Sequence, residues 1–171
     1  MGVDEDLNNL VSRMEADKIV FVFDMDDTLT SARKEIPDYN LDLLERLLGR
    51  FTVAILSSSD EPALKKQVMD AFMKRNPGNL LENMIILPTN GRKALVYDLN
   101  AAAHVLAYYY SLEKKIGKNQ KELLFGIIKE AVKEYGIGNV FRQYRGYAPA
   151  SSEEFIDDRG NQVTLQVLGK T

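Results

Sequence analysis

The sequence predicts an α/β protein built around a parallel sheet, and three observations support this prediction. Apolar runs at 19–23, 51–56 and 84–87 are continuous rather than alternating, which is typical of strands buried on both faces of a parallel sheet. Amphipathic helical patterns separate these runs, as crossover connections between parallel strands require. The 171 residues are 45% hydrophobic and 27% charged, the composition of an ordinary globular domain with enough apolar material for a core.

Each helix of the first half has its own signal. Residues 7–14 carry apolar side chains at helical spacing and predict a short helix before the first strand. A second helix is predicted over 37–48, because a proline begins it and a glycine follows it. A third is predicted over 60–72, with an aspartate at its N-cap position, and the turn residues at 76–79 end it.

The pattern changes after Asn90-Gly91. A short strand is predicted over 94–97, followed by two helices over about 99–116 and 119–135. Gly136 stands where the C-cap of the second of these helices belongs.

The C-terminal segment predicts a β-hairpin. Two apolar residues at 155–156 lead to the turn residues Gly160-Asn161, and apolar residues then alternate with polar ones from 163 to 167. Helices packed on an antiparallel hairpin make an α+β unit. We therefore divide the chain into a parallel-sheet domain over 1–91 and an α+β domain over 92–171.

Composition excludes several classes of function. The 22 Lys and Arg residues against 25 Asp and Glu residues give a net charge of −3 without a basic run, which argues against a nucleic-acid surface. The absence of cysteine excludes disulfides, thiolate metal sites and a cysteine nucleophile, and a single histidine argues against zinc sites built on histidine pairs. Neither an apolar stretch of about 18 residues nor a secretory signal is present. We therefore expect a cytoplasmic protein without membrane contact.

Three carboxylates, of Asp24, Asp26 and Asp27, directly follow the first apolar run. In an open α/β sheet, ligands bind at the carboxyl ends of the strands. Clustered carboxylates repel one another unless a cation is bound, and oxygen ligands suit Mg²⁺ better than zinc. An aspartate can also attack a phosphoryl group. The alternative interpretation is an acidic, solvated turn.

The pattern is more specific than its composition. An apolar strand followed by Asp24-Met25-Asp26-Asp27-Thr28 resembles the first motif of the haloacid-dehalogenase (HAD) phosphotransferases, and the second strand ending in Ser57 resembles the second motif. The segments 24–36, 58–60, 87–91 and 155–170 resemble those of eukaryotic-type phosphomannomutases and related subfamily IIB hydrolases. The resemblance implies a HAD-like, Rossmann-type parallel-sheet core with an inserted α+β cap.

The resemblance also implies roles for the site residues. Asp24 would be the nucleophile, and Asp26 the general acid and base. Mg²⁺ would be held by Asp24 and by Asp26 through its backbone carbonyl. Ser57 would donate a hydrogen bond to a phosphoryl oxygen, with Ser58 and Thr28 close by.

Two residues of the predicted cap are candidate substrate ligands. Arg159 matches a substrate-binding arginine of the family, and Lys170 stands where the family usually has a second arginine. The exchange keeps the charge but loses the bidentate fork of a guanidinium. The alternative for both residues is ordinary surface charge on a hairpin.

The length of the chain is the main departure from the family. Enzymes with this cap return to the core afterwards and add a third-motif cation and a fourth-motif pair of acids. We therefore expect the core to be incomplete in this chain, and the chain alone to be weak or inactive. In an alternative interpretation, Asp157-Asp158 is itself the fourth motif, with Lys129 or Lys133 as the third-motif cation.

Three functions follow from this resemblance. The first is a Mg²⁺-dependent phosphatase that acts on a small phosphorylated metabolite, a sugar phosphate, through an aspartyl-phosphate intermediate. The second is a phosphomannomutase-type isomerase, which would return the phosphoryl group to another hydroxyl of the sugar. The third is a catalytically incomplete HAD domain with a binding role. The expected partner is a small phosphorylated substrate in all three cases.

Overall fold

The structure is a computed structural model that describes residues 19–75, 77–147 and 149–167. The helix predicted over 7–14 lies outside the described residues. The chain divides into two compact units between Tyr108 and Tyr109, and each unit is described by itself. The assignment of 92–171 to a cap domain stays a prediction.

The first unit contains a five-stranded sheet. Its strands, in order across the sheet, are β1 (Val20–Asp24), β2 (Thr52–Leu56), β3 (Met84–Leu87), β4 (Lys93–Asp98) and β5 (Ala103–Tyr109). The first three strands are parallel, with Val22 opposite Ala54 and Ala54 opposite Ile85. β4 runs antiparallel to β3. This confirms the predicted α/β class and the parallel pairing of the three apolar runs.

Helices cover one face of this sheet. They are α1 (Asp38–Leu48), α2 (Glu61–Leu64) and α3 (Asp70–Lys74), and a π-helical segment (Lys65–Met69) joins the last two. Pro37 precedes α1 and Gly49 ends it, as predicted. The side chain of Asp60 accepts a hydrogen bond from the Ala63 backbone N–H, at 3.1 Å, and so caps α2.

The core of the first unit lies between these helices and the sheet. Alternate strand residues point toward the helices because successive side chains of a strand face opposite sides. The strands contribute Val53, Ile55, Met84, Ile86 and Leu95 to this core, and the helical segments contribute Leu41, Leu44, Leu48, Leu64, Val68 and Phe72.

The prediction that β1 is buried on both faces was wrong. Phe21 and Phe23 pack against the core, but Val20 is 53% and Val22 is 57% exposed. β1 is an edge strand of the five-stranded sheet. Among the described residues, no element covers the face of β1 that carries these two valines.

The predicted helix over 99–116 was wrong in its first part, because β5 occupies that part and extends the sheet beyond β4. The turn before β5 is stabilised by Asp98, whose side chain accepts hydrogen bonds from the backbone N–H groups of Asn100 and Ala101, at 2.8 and 3.0 Å. This side-chain turn interrupts the helical pattern and returns the chain along β4.

The second unit is of the α+β kind. It contains α4 (Leu112–Ile116), α5 (Lys118–Glu134), α6 (Ile137–Arg145), β6 (Ile156–Asp158) and β7 (Val163–Leu165). Its small core is formed by Val132, Phe141 and Phe155. β6 and β7 pair antiparallel in a sheet of their own, which confirms the predicted hairpin.

The helices around this core are partly as predicted. α5 matches the predicted helix over 119–135, and Gly136 follows it in the left-handed conformation (φ 62°) that favours glycine. α6 was not predicted. No helix in the described ranges is both long and apolar enough to cross a membrane.

Candidate functional site

The carboxyl ends of β1 and β2 lie side by side. Asp24 is the last residue of β1 and stands opposite Leu56, and Ser57 follows Leu56 directly. Neighbouring strands lie about 4.8 Å apart, so Asp24 and Ser57 lie at the same edge of the sheet. Asp24 is exposed there.

A tight turn follows Asp24. The backbone carbonyl of Met25 accepts hydrogen bonds from the N–H groups of Leu29 and Thr30, both at 3.0 Å. Asp27 has a positive φ of 60°, and its side chain accepts a hydrogen bond from the Ala32 N–H at 3.2 Å. A short polar residue tolerates this left-handed conformation better than most, which explains how an aspartate can occupy the position.

Asp26 is held by groups from two loops. Its Oδ2 atom accepts a hydrogen bond from the Ser59 hydroxyl at 3.5 Å, and its Oδ1 atom accepts one from the Arg33 backbone N–H at 3.3 Å. Ser59 therefore links the loop after β2 to the turn after β1. Ser59 lies in the segment 58–60 that carries the family resemblance, but the sequence predicts no role for it, and its position two residues after Ser57 is the signal that points to one.

The loop after β2 also contains an internal hydrogen bond. The Ser59 backbone N–H donates to the hydroxyl oxygen of Ser57 at 3.0 Å, which leaves the hydroxyl hydrogen of Ser57 to be donated elsewhere. Ser57 is only 1% exposed, whereas Ser58 and Thr28 are exposed.

Among the described residues, the hydrogen bonds to the carboxylates of Asp26 and Asp27 come from neutral donors. Within the described part of the chain, no lysine or arginine forms an ion pair with Asp24, Asp26 or Asp27. Uncompensated carboxylates close together favour the binding of a cation.

The oxygen donors at this edge fit part of a magnesium site. Among the described residues, no three histidine, aspartate or glutamate side chains form a metal-binding group. Mg²⁺ nevertheless keeps several water ligands and takes only one or two carboxylates together with substrate phosphate. The carboxylate of Asp24 and the backbone carbonyl of Asp26 supply oxygen ligands of that kind.

Of the two predicted cap residues, Arg159 is among the described residues and belongs to the second unit. Arg159 donates from Nε to Oδ2 of Asp157 at 2.7 Å, and its backbone N–H donates to the carbonyl of Gln162 at 3.0 Å. Arg159 therefore closes the hairpin between β6 and β7. Lys170 lies outside the described residues.

The alternative interpretation, in which Asp157-Asp158 is the fourth motif on a strand of the core sheet, was wrong. The segment belongs to the β6–β7 hairpin and not to the five-stranded sheet. Asp158 pairs with Lys121 at 2.9 Å, and Lys129 pairs with Glu153 at 2.9 Å.

Comparison with known proteins identifies the fold. No protein-family model matches the chain, and no curated protein matches it by sequence. Plasmodium falciparum IMP-nucleotidase is 13% identical over 84% of this chain and 38% of its own, with a TM-score of 0.55. Its ATP-bound structure gives 15% identity, 87% and 35% coverage, and a TM-score of 0.55. A haloacid dehalogenase-like hydrolase from Bacteroides thetaiotaomicron is 20% identical over 60% of this chain and 35% of its own, with a TM-score of 0.42.

These likenesses concern the fold. The chain shares its α/β fold with the IMP-nucleotidase, and its sheet is mostly parallel, as the sequence predicted. It spans between 35% and 38% of the length of the three structures named above.

Proposed function

We propose that the first unit performs phosphoryl transfer as part of a haloacid-dehalogenase-type phosphatase that hydrolyses a small phosphorylated metabolite. One observation carries this proposal. Asp24 ends a parallel strand beside the Ser57–Ser59 loop, and that same loop holds the carboxylate of Asp26 through Ser59. This arrangement supports the assignment of Asp24 as nucleophile and Asp26 as acid–base group, because open α/β sheets bind their ligands at this edge.

The first step transfers the phosphoryl group to the protein. A carboxylate oxygen of Asp24 attacks phosphorus, and the bond from phosphorus to the ester oxygen of the substrate breaks. Asp26, acting as the acid, gives its proton to that leaving oxygen. The products are an aspartyl-phosphate at Asp24 and the dephosphorylated alcohol.

The second step restores the protein. Asp26, now a carboxylate, takes a proton from a water molecule whose oxygen attacks phosphorus. The bond between phosphorus and the Asp24 oxygen breaks, inorganic phosphate leaves, and Asp26 is again protonated. When bound by Asp24 and the carbonyl of Asp26, Mg²⁺ would neutralise charge between the carboxylate and the anionic phosphate.

The serines of the loop after β2 bind the phosphoryl group and position Asp26 in this proposal. We assign Ser57 as a donor to a phosphoryl oxygen because its own oxygen already accepts from the Ser59 N–H. Ser58 and Thr28, which the resemblance places near the phosphoryl group, are both exposed. Ser59 holds Asp26 in place by donating a hydrogen bond to its carboxylate, at 3.5 Å.

A phosphatase is favoured over an isomerase. A mutase must hold a sugar bisphosphate by its distal phosphate, which needs cations in the cap. The guanidinium of Arg159 is already bound to Asp157, so it offers little to a second phosphate. A sugar phosphate is the substrate that the sequence resemblance favours, and IMP is worth testing because an IMP-nucleotidase shares the fold.

The test is phosphate release measured with Mg²⁺ and with a chelator, on p-nitrophenyl phosphate, a hexose phosphate and IMP. It should use the 171-residue chain and the longest natural protein that contains it. We expect Mg²⁺-dependent turnover in the longer protein, weak or no turnover in the 171-residue chain alone, and none in Asp24→Asn. Asp26→Asn should lose far more on the hexose phosphate than on p-nitrophenyl phosphate, because a nitrophenolate leaves without needing a proton.

A neighbouring aspartate provides the matched control. Asp27→Asn removes the same charge one residue after Asp26, and asparagine tolerates the left-handed conformation that Asp27 adopts. This variant should retain turnover. Full activity in Asp24→Asn, or activity that ignores the chelator, would contradict the proposal.

A further inference from the structure

Three successive residues after β3 have left-handed backbone angles. They are Thr89 (φ 52°, ψ 48°), Asn90 (φ 57°, ψ 40°) and Gly91 (φ 73°). Glycine adopts such angles freely and asparagine tolerates them, but a β-branched threonine is a clear outlier there. A strained conformation persists only where its surroundings hold it, and such strain concentrates at functional sites.

The surroundings that hold this turn are the loop after β2. The Thr89 N–H donates to the carbonyl of Ser59 and the Asn90 N–H donates to the carbonyl of Ser57, both at 2.8 Å. The Ser57 N–H in turn donates to the carbonyl of Leu87 at 3.1 Å. If β3 simply continued, successive N–H groups would point to opposite sides and only one could reach the loop. The left-handed turn directs both toward it.

The same loop reaches the groups assigned to catalysis. Ser59, whose carbonyl is held by Thr89, donates to the Ser57 hydroxyl oxygen and to the Asp26 carboxylate. The side chain of Thr89 is buried, and its hydroxyl donates to the carbonyl of Pro88 at 2.7 Å. The Thr89 backbone N–H therefore connects this turn to the loop that carries the candidate site.

We propose that the turn Pro88–Gly91 is a positioning element that holds the Ser57–Ser59 loop and thereby orients the hydroxyl of Ser57 and the carboxylate of Asp26. This rests on the proposed function of that site. What the turn contributes is its left-handed backbone and its two N–H groups. Any residue at position 89 or 90 that keeps both should preserve it.

Substitutions that separate backbone from side chain test the proposal. Thr89→Gly keeps the N–H and relaxes the backbone, so it should keep the wild-type kcat. Thr89→Pro removes the N–H and imposes a negative φ, and Asn90→Val places a β-branched residue at a left-handed position. Both should lower kcat by roughly a hundredfold while KM changes little, because misplaced groups act on the reacting centre. Ala102→Val is the matched control, since Ala102 is also left-handed (φ 47°) but lies in the turn between β4 and β5.

A double-mutant cycle asks whether the turn acts through Ser57. In a Ser57→Ala background, Asn90→Val should cost much less than it does in the wild type, because the group that it misplaces is already gone. Fully additive losses would overturn the proposal. So would equal losses in Thr89→Gly and Thr89→Pro, because the threonine side chain would then be the important part.

Hydrogen exchange at the Ser59 amide separates this proposal from the proposed function. The amide should exchange slowly in the wild type and in Thr89→Gly, and faster in Asn90→Val, whether or not the chain hydrolyses phosphate esters. If no Asp24-dependent turnover is found, the proposed phosphatase function is refuted. The exchange measurement still tests the role of the turn in that case. Unchanged protection in Asn90→Val would overturn the positioning role, and this variant decides the question if Thr89→Pro does not fold.

Discussion

Clusters of carboxylates lie at the ends of two strands, β1 and β6. The two clusters differ in whether cationic side chains pair with them. At the end of β6, Asp157 lies 2.7 Å from Nε of Arg159, and Asp158 lies 2.9 Å from Nζ of Lys121. At the end of β1, Asp24 and the two aspartates that follow it have no such partner in the described part of the chain. The same sequence feature therefore forms ion pairs within the fold in one unit and remains open to a cation in the other.

The difference comes from strand pairing. β6 and β7 are antiparallel and close in sequence, so Arg159, in the turn between them, reaches Asp157 directly. β1 and β2 are parallel and joined by a long crossover, so the edge beside Asp24 receives whatever the end of β2 provides. There the sequence provides serines. A hairpin thus neutralises its acids locally, whereas a parallel edge gathers groups from distant segments.

The largest expected effect tests whether Phe155 belongs to the second unit. Its ring is buried and packs edge-on against Phe141 at a centroid distance of 5.3 Å. Phe155→Ala should lower the free energy of unfolding by about 3–5 kcal/mol, because it removes a buried aromatic ring and leaves a cavity. Urea denaturation followed by circular dichroism measures this.

An exposed aromatic of the same unit provides the control. Tyr144 is 70% exposed, so Tyr144→Ala should change stability by less than about 0.5 kcal/mol. A loss below about 1 kcal/mol in Phe155→Ala would mean that the segment before Asp157 is not part of this core.

The second-largest expected effect is stabilisation by Mg²⁺, which should depend on the carboxylates after β1 and not on those of β6. At a Mg²⁺ concentration of 100 times the Kd, binding to the native state should stabilise it by about 2.7 kcal/mol. The stabilisation should disappear in Asp24→Asn and persist in Asp157→Asn, because Asp157 is paired with Arg159 whereas the carboxylates after β1 have no ion-pair partner among the described residues. Thermal unfolding across a Mg²⁺ titration measures it, and loss of the effect in Asp157→Asn would reverse the comparison.

Without metal, the same two substitutions should differ in sign. Asp157→Asn should cost about 1 kcal/mol, since it breaks a charged hydrogen bond to Arg159 in a partly buried hairpin. Asp24→Asn should leave stability unchanged or raise it slightly, because it relieves repulsion between neighbouring carboxylates. Chemical denaturation in the presence of a chelator checks both signs, and clear destabilisation by Asp24→Asn would show that its charge is compensated.

The smallest effect is a pH dependence confined to the first unit, which holds His104, the one histidine of the sequence. Burial lowers the pKa of His104, against a smaller opposing effect of Glu61. The native state therefore resists protonation, so this contribution to stability is complete above the ordinary histidine pKa of about 6.5 and is lost as the pH falls through the lowered value. His104→Leu should flatten the stability curve between pH 7 and 5, and an unchanged curve would assign the dependence to other groups.

The sequence predicted the features of the fold that depend on local residue patterns. The apolar runs gave the parallel strands, and Asp24 and Ser57 could be placed because each directly follows one of them. β5 was missed because Ala101, Ala102 and Ala103 favour a helix by propensity, whereas pairing with β4 and the side-chain turn at Asp98 make it a strand.

Other parts of the site are decided by tertiary contacts. The role of Ser59 depends on Asp26, which lies 33 residues away in sequence. The left-handed angles of Thr89 carry no sequence signal, because threonine is among the residues least suited to them. The exposure of Val20 and Val22 likewise depends on what packs beside β1 and not on the β1 sequence.

The central claim is that Asp24, and not an acid of the β6–β7 hairpin, receives the phosphoryl group. The most direct measurement is to incubate the protein with Mg²⁺ and a ³²P-labelled phosphate ester, quench with acid, and locate the label by peptide mapping. We predict label on the peptide that contains Asp24, none in Asp24→Asn, and full labelling in Asp157→Asn. Label that persists in Asp24→Asn, or that maps to the peptide containing Asp157, would contradict the account.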